Sequence, residues 1–253
     1  MEVAEALRVQ GFAVLPRVFA SSETRDLLSA FDRLEARCSG LSKTTEIDGA
    51  TFVMEPTGPS GAPRLQRVIW CGGAEPRLLE PGDDPRVSGL AARVLGSRDL
   101  AQLINQAHFK RPGDGVGFPM HQDAWNRRTG RLFDDIDGRG SYVQILLCLD
   151  DMTEHNGPLC FLPGSHAGGP RWLATSPEAR RRHVEALSRI HVPVPVVAPA
   201  GSLVVFGPYV FHGSEPNRSG HPRRALVNGY ALPGANRRVY PGAGLGRPVR
   251  ASV

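Results

Sequence analysis

The chain has few cysteines, almost no lysine and no long apolar run, and each shortage removes a class of function. Its four cysteines, Cys38, Cys71, Cys148 and Cys160, form no C-x-x-C pair, and two lie inside apolar runs where a thiol packs like a small hydrophobe. A disulfide framework is not indicated, and a reducing cytoplasm suits the set. No segment approaches the roughly 18 apolar residues that cross a bilayer, and the opening MEVAEALRVQGF lacks the basic start and apolar stretch of a secretory signal. Lys43 and Lys110 are the only lysines, so arginine carries the formal net charge of +5. These arginines are interleaved with acids, as in RDLLSAFDRLEAR, and form no basic block with aromatic spacing of the kind that reads nucleic acid. Internal repeats and low-complexity linkers are missing too. The expectation is a soluble cytoplasmic protein, a monomer or homodimer, with neither a nucleic-acid nor a membrane partner.

What is present fits one domain. A length of 253 residues with 41% hydrophobic and 22% charged residues is ordinary for a globular chain, while Gly 29 and Pro 22 point to many turns. The first 10 residues alternate at helical spacing up to Gly11, and FAVLPRVF then reads as a short strand broken by Pro16. A second helix follows, with Ser21 or Ser22 as its cap and Leu27, Leu28, Phe31 and Leu34 on one face, ending near Cys38. Residues 41–62 read as a loop or irregular hairpin, and RLQRVIW (64–70) as a strand. Asp84, Pro85 and Gly96 cap, open and stop a further helix. From residue 100 onward short strand-like runs dominate, among them LAQLINQAHFK, SYVQILLCLD, PLCFLP, HVPVPVV, SLVVFG and RRALVNGYAL. This pattern predicts a mainly β sandwich or barrel buttressed by N-terminal helices. Residues 1–99 are expected to form a helical buttress and lid region, 100–232 the β core and 233–253 a C-terminal tail. Long connections at 111–120, 126–140 and 163–190 are the expected binding loops, the last holding a short helix in SPEARRRHVEALSRI.

The stretch GFPMHQDAWN places His121 and Asp123 two residues apart, on one side of the chain if its backbone is extended. Alone, an H-x-D is weak, because an ordinary polar loop contains it by chance. His212, in GPYVFHGSEPN, lies 91 residues downstream and would complete a facial triad of two histidines and one carboxylate, which leaves coordination positions open for non-haem iron(II) chemistry. Taken singly, His212 reads better as a strand-end histidine bonded to a backbone carbonyl.

The order of further motifs separates these alternatives. HQD at 121–123, NGPLCFLPGSH at 156–166, GSLVVFGPYVFHGSEPN at 201–217 and RRALVNGY at 223–230 follow one another. In this respect the chain resembles the phytanoyl-CoA dioxygenase family of iron(II)/2-oxoglutarate-dependent oxygenases, from about Lys110 to Tyr230. The resemblance implies a double-stranded β-helix, or jelly-roll barrel. It also implies that His121, Asp123 and His212 hold Fe(II). Arg223, 11 residues after the distal histidine, would grip the far carboxylate of the cosubstrate 2-oxoglutarate, with Arg224 facing the opposite way into solvent. Ser214 would assist, and Gln122, Gln106, Lys110 and Gln144 are further candidates for cosubstrate or supporting contacts. His166, in PGSH, is not expected to bind metal, and His108, His155, His183, His191 and His221 have no partners at useful spacing.

By the same resemblance the reaction would couple O2 and 2-oxoglutarate to oxidation of a small-molecule substrate, releasing succinate and CO2. Retention of the Asp123 carboxylate favours hydroxylation over halogenation, while desaturation, epoxidation and cyclisation remain open. A cupin-like protein that binds or senses a small molecule without turnover is the alternative. The loop NRRTGRLFDDIDGRG (126–140) is the expected lid: Trp125 and Phe133 would supply apolar wall, and Arg127, Arg128 and Arg131 would either meet an anionic group or pair with Asp134, Asp135 and Asp137 on the loop itself.

Overall fold

The computed structural model describes residues 2–56, 61, 63–127, 131–169 and 177–252. Helix α1 (Val3–Gln10) ends at Gly11 in the left-handed region and leads into β1 (Phe12–Leu15). Helix α2 (Ser21–Arg37) starts one residue earlier than a serine cap would require. Its N-cap is Ala20, which has no capping side chain, and the Ala20 backbone N–H donates to the Glu23 carboxylate of the first turn at 2.7 Å, so neither Ser21 nor Ser22 is the cap. Strands β2 (Thr45–Ile47), β3 (Ala50–Pro56) and β4 (Pro63–Ile69) follow, then the short helices α3 (Cys71–Ala74) and α4 (Glu80–Asp83) and the longer α5 (Pro85–Leu95). Helix α5 is capped by Asp84, opened by Pro85 and stopped at Gly96, as its sequence predicts.

The strand-rich part comprises β5 (Asp99–Lys110), β6 (Phe118–His121), helix α6 (Asp123–Arg127), β7 (Tyr142–Cys148) and β8 (Leu159–Phe161). It continues through helix α7 (Pro177–Ser188), β9 (Val194–Pro195), β10 (Leu203–Phe206), β11 (His212–Ser214), β12 (Arg223–Ala231) and β13 (Arg247–Arg250). Two antiparallel sheets result. The larger runs β1-β10-β7-β12-β5-β4-β3-β2 with β13 also on β5, and the smaller runs β6-β11-β8-β9.

Two expectations about the ends of the chain are corrected. Residues 1–99 are not only a helical buttress, because β1 and the β2–β4 meander contribute four strands to the larger sheet. Residues 41–62, expected as a loop or irregular hairpin, supply two of them as the antiparallel pair β2 and β3. Threonine and β-branched residues in TEI and ATFV fit a pleated surface well enough to override the surrounding turn formers. Residues 233–253 are not a free tail, since Val249 pairs with Leu100 in the β13–β5 ladder.

Alternation along the strands divides the interior in two. On β7, Val143, Ile145 and Leu147 join the core beneath α2 and α5, where Phe31 meets Phe109 at 5.0 Å between ring centroids. Tyr142, Leu146 and Cys148 point the other way, into the space between the sheets, with Phe161 stacked on Phe12 at 4.1 Å. Burial of these faces against both helices and the opposing sheet fixes the register of every central strand, because a slip of one residue would turn each apolar side chain outward. The site described next opens into the space between the sheets.

Candidate active site

Strands β6 and β11 are neighbours, and their register sets His121 directly opposite His212. The rings lie 4.4 Å apart between centroids. Each imidazole is locked by its own strand: Nδ1 of His121 meets Pro119 O at 2.8 Å, and Nδ1 of His212 meets Val210 O at 3.1 Å. A carbonyl only accepts, so Nδ1 carries the proton in both rings and each Nε2 presents a lone pair to the same point. Burial, and secondly the nearby His121, push the His212 imidazolium down to about 4, which favours the neutral ligand form.

The third donor arrives differently from the extended H-x-D expected from sequence. The strand ends at His121, and Asp123 is the first residue of α6, held by the Ala124 N–H bonding to Pro208 O at 3.1 Å. Asp123 Oδ1 lies 3.9 Å from Nε2 of His121 and 4.0 Å from Nε2 of His212, too far for hydrogen bonds. Asp123 Oδ2 is buried with no hydrogen-bond partner. One donor atom from each of the three residues falls within 4.8 Å of the others, the one such group of histidine, cysteine or acidic residues among the described residues. A buried carboxylate with an unpartnered oxygen, set beside two imidazole lone pairs, is what a divalent cation satisfies; the donor set, two imidazoles and a carboxylate, suits iron(II).

Arg127, four residues after Asp123 on α6, is fully buried rather than facing a ligand from a lid. Its guanidinium lies 3.3 Å above the Tyr142 ring, with Nη1 at 3.6 Å from Asp123 Oδ1 and donating to Asp123 O at 3.1 Å. Burial drives the Asp123 carboxyl up, but Arg127 and then the two histidines outweigh it and leave it below its ordinary value. Tyr142 in turn donates its hydroxyl to Gln144 Oε1 at 2.8 Å, so Gln144 supports this stack. Phe133 is completely buried and edge-on to Tyr142, and forms core beneath the loop instead of pocket wall. Trp125 is half-buried and packs edge-on to Phe211 at 5.3 Å. Arg128 lies outside the described residues. Among the described residues the loop acids take other partners: Asp134 pairs with Arg237, Asp135 accepts from the Tyr209 hydroxyl at 2.7 Å, and Asp137 pairs with Arg139 at 3.4 Å and accepts from the loop backbone.

On the opposite wall, β12 and β5 set Arg223 across from Lys110. Arg223 donates through Nε and Nη2 to Gly157 O at 3.2 and 2.7 Å, and Lys110 Nζ donates to Glu215 O. Among the described residues, both side chains therefore bond to main-chain carbonyls and to no acid. Burial pulls Arg223 down to about 10 and, together with Arg223 itself, pulls Lys110 down to about 6. Gly157 makes the arrangement possible. At φ +72° it is in the left-handed region, and a Cβ there would approach Glu215 O at 2.5 Å and Lys110 Cδ at 3.0 Å. Ser214 is buried on β11, two residues beyond His212.

Arg224 points the other way, as alternation requires, but it is not solvated: it pairs with Asp150 at 2.9 Å and Asp32 at 3.1 Å. Gln106 Oε1 accepts from His108 Nε2 at 3.1 Å, and His108 stacks on Phe118 at 5.3 Å. Gln122 is buried, and its Nε2 donates to Tyr209 O at 2.5 Å and Gly169 O at 3.0 Å, which ties the turn between His121 and Asp123 to the segment preceding His212. Its amide is engaged in holding the two halves of the triad together. His166 meets Arg8 O and His191 meets Pro163 O, away from the triad, as expected. A cavity of about 1080 Å³ between α1, α5 and the 135–139 loop borders Tyr142 and Tyr209 but contains no residue of the triad. No described helix is long and apolar enough to cross a membrane.

Comparison with known proteins agrees with this geometry. L-proline trans-4-hydroxylase of Streptomyces griseoviridis is 31% identical over 166 residues, a match that spans 58% of this chain and only 59% of that enzyme. Ectoine dioxygenase of Stutzerimonas stutzeri is 25% identical over 249 residues, covering 90% of this chain and 76% of the relative. Crystal structures of EctD from S. alaskensis share the fold: the form with bound Fe gives a TM-score of 0.73 at 20% identity, covering 98% of this chain and 85% of that one. The form with 2-oxoglutarate and 5-hydroxyectoine gives 0.72 at 21% identity, covering 98% and 84%. The sequence profile described as phytanoyl-CoA dioxygenase (PhyH) matches residues 7–225, most of the chain, and the protein belongs to that family.

Proposed function

We propose that the protein is an Fe(II)/2-oxoglutarate-dependent oxygenase that hydroxylates a small molecule, working as one oxygenase domain. The observation that carries the reading is a buried Asp123 carboxylate, its Oδ2 without a hydrogen-bond partner and its Oδ1 within 4.0 Å of both imidazole Nε2 atoms, whose rings have their Nδ1 atoms already committed to Pro119 O and Val210 O. His121, Asp123 and His212 would hold iron(II). Together with dioxygen and 2-oxoglutarate, the metal supplies the oxidising power that places hydroxyl on an unactivated C–H bond while the keto acid becomes succinate and CO2.

The chain's own residues bind, orient and shield. Arg223 releases Gly157 O to take the far carboxylate of 2-oxoglutarate in a two-pronged charge-assisted contact, for which its planar fork is suited. Lys110, across the ladder, adds a second donor, and Ser214 a hydroxyl from the neighbouring strand. Arg127 keeps Asp123 ionised and oriented through its approach to Oδ1 and its bond to the Asp123 main-chain oxygen, and Gln122 holds the turn between the two ligands of HQD. Retention of a carboxylate at position 123 supports hydroxylation. Two of the relatives are named for proline and ectoine, which supports a small-molecule substrate.

Metal analysis after anaerobic loading tests the assignment. One iron per chain is expected for the parent, and less than about a tenth of that for His212→Ala at the same free iron concentration. Equal iron in both would remove the triad from the account.

A further inference from the structure

A third cation, Arg67, stands in the space between the sheets with no salt bridge to an acid among the described residues. Arg67 on β4 pairs in register with His108 on β5, and its guanidinium reaches across to the Phe118 ring of the smaller sheet at 5.6 Å. The Lys110 ammonium reaches the same ring at 5.7 Å, and His108 stacks on it at 5.3 Å. Arg67 is half-buried, and its one side-chain bond is Nη1 to the amide oxygen of its neighbour Gln66 at 2.8 Å. No carboxylate pairs with it among the described residues. Burial lowers its affinity for the proton, with Glu55 as the opposing influence from the end of β3.

An arginine cannot shed its charge as Lys110 can, so a guanidinium drawn out of water without an acid is costly unless something else supplies the anion. If the reading above holds, 2-oxoglutarate spends one carboxylate on the metal and the other on Arg223. Neither cosubstrate carboxylate is then left for Arg67. We propose that Arg67 is the substrate-recognition residue of this oxygenase, and that it binds an oxyanion, a carboxylate or a phosphonate, carried by the substrate. Phe118 lies three residues before His121 on β6, so an anion held by Arg67 against that ring is roughly 10 Å along the strand from the triad. That separation matches a small organic acid whose anionic end is anchored while a carbon further along is presented to the metal. The inference rests on the preceding reading for the disposal of the 2-oxoglutarate charges.

The test uses protein loaded with Mn(II) and saturating 2-oxoglutarate, a state without turnover, with acetate as probe and its methyl proton relaxation as readout. The parent is expected to show saturable acetate relaxation from a site near the metal. Arg67→Gln should weaken acetate binding by about tenfold or more, the value of a charge-assisted pair, and leave the dissociation constant of 2-oxoglutarate within about twofold. If Arg67→Gln does not fold, Arg67→Lys, which keeps the charge but loses the fork, carries the test with a weakening of about threefold or more. Methylphosphonate in place of acetate distinguishes the two oxyanions by which saturates at lower concentration. Acetate relaxation unchanged in the Arg67 variant, or no saturable site in the parent, overturns the proposal. So does a tenfold loss of 2-oxoglutarate affinity in Arg67→Gln, which would hand Arg67 to the cosubstrate. Failure of the parent to bind 2-oxoglutarate at all would instead sink the oxygenase reading, and is measured separately.

Discussion

Arg127→Met removes a buried cation from beside a buried carboxylate while keeping much of the side chain's length and apolar body. In the parent the guanidinium sits 3.3 Å over Tyr142 and 3.6 Å from Asp123 Oδ1, and its side chain is 4% exposed, so solvent does little to screen either contact. Taking away one partner of such a pair leaves the other charge uncompensated, at a cost of about 3–5 kcal/mol. For a domain of this size each kcal/mol lowers the melting temperature by about 2–4 °C, so the metal-free variant should melt roughly 6–20 °C below the parent. Two controls make the cause specific. Asp123→Ala combined with Arg127→Met removes both charges, and its loss should fall short of the sum of the single losses by about 1–3 kcal/mol. Divalent metal gives Asp123 a second counter-charge, so Mn(II) should narrow the gap between Arg127→Met and the parent. Differential scanning calorimetry with and without metal reads all of these. A melting temperature within about 2 °C of the parent, or additive single losses, would refute the claim that Arg127 works through Asp123.

The remaining predictions concern the other wall and the packing behind it. Arg223→Gln should raise the dissociation constant of 2-oxoglutarate roughly 10- to 100-fold, as loss of a charge-assisted pair requires, while Arg224→Gln leaves it unchanged and lowers stability through the lost Asp150 contact. Titration calorimetry separates the two, and the reverse pattern would exchange their roles. Burial and Arg223 pull folded Lys110 down to about 6, whereas an unfolded lysine titrates near about 10.4. Between those values the unfolded chain binds the extra proton, so this group makes stability rise with pH across that window, and below about 6 the folded chain carries the buried charge at full cost. Lys110→Met should flatten that rise in urea titrations of metal-free protein between about pH 6 and pH 9, and an unchanged slope would contradict the burial argument. Gly229→Ala would drive a methyl group into the Tyr142 hydroxyl and to 2.9 Å from Ile104 Cβ in the middle of the larger sheet. A loss of about 3 kcal/mol is expected by chemical denaturation, and a neutral result would show that the Tyr142 ring is free to move.

The parts legible from sequence were those whose signals are local. The Asp84-Pro85 opening and Gly96 stop of α5, the apolar face of α2 and the strand runs after residue 100 all appear where their residue patterns place them. The triad needed more than local signal. His121 and His212 meet only because β6 and β11 pair across 91 residues, a distance that the ordered motifs of a family bridge and hydrophobic periodicity does not. The turn from strand to helix between His121 and Asp123 was not visible, and with it went the role of Arg127. Read on a helix, the Asp123 and Arg127 of DAWNR are an i, i+4 acid–base pair; read on a loop, Arg127 is one more lid arginine. Arg67 was hidden for a related reason. Within RLQRVIW it is an ordinary polar residue on a strand, and only the β4–β5 register and the opposing Phe118 show that it faces inward without an acid. The meander of β2, β3 and β4 that carries it is held by long-range ladder bonds that composition alone does not announce.

The central claim is that His121, Asp123 and His212 form an iron centre that oxidises 2-oxoglutarate with O2. The direct measurement is succinate formed by anaerobically iron-loaded protein after admission of air, with 2-oxoglutarate and no added substrate, in the parent and in Asp123→Ala. The account predicts slow, oxygen-dependent succinate and CO2 in equal amounts from the parent, and none above the protein-free background from Asp123→Ala. Succinate at the same rate from both, or from neither, would contradict it.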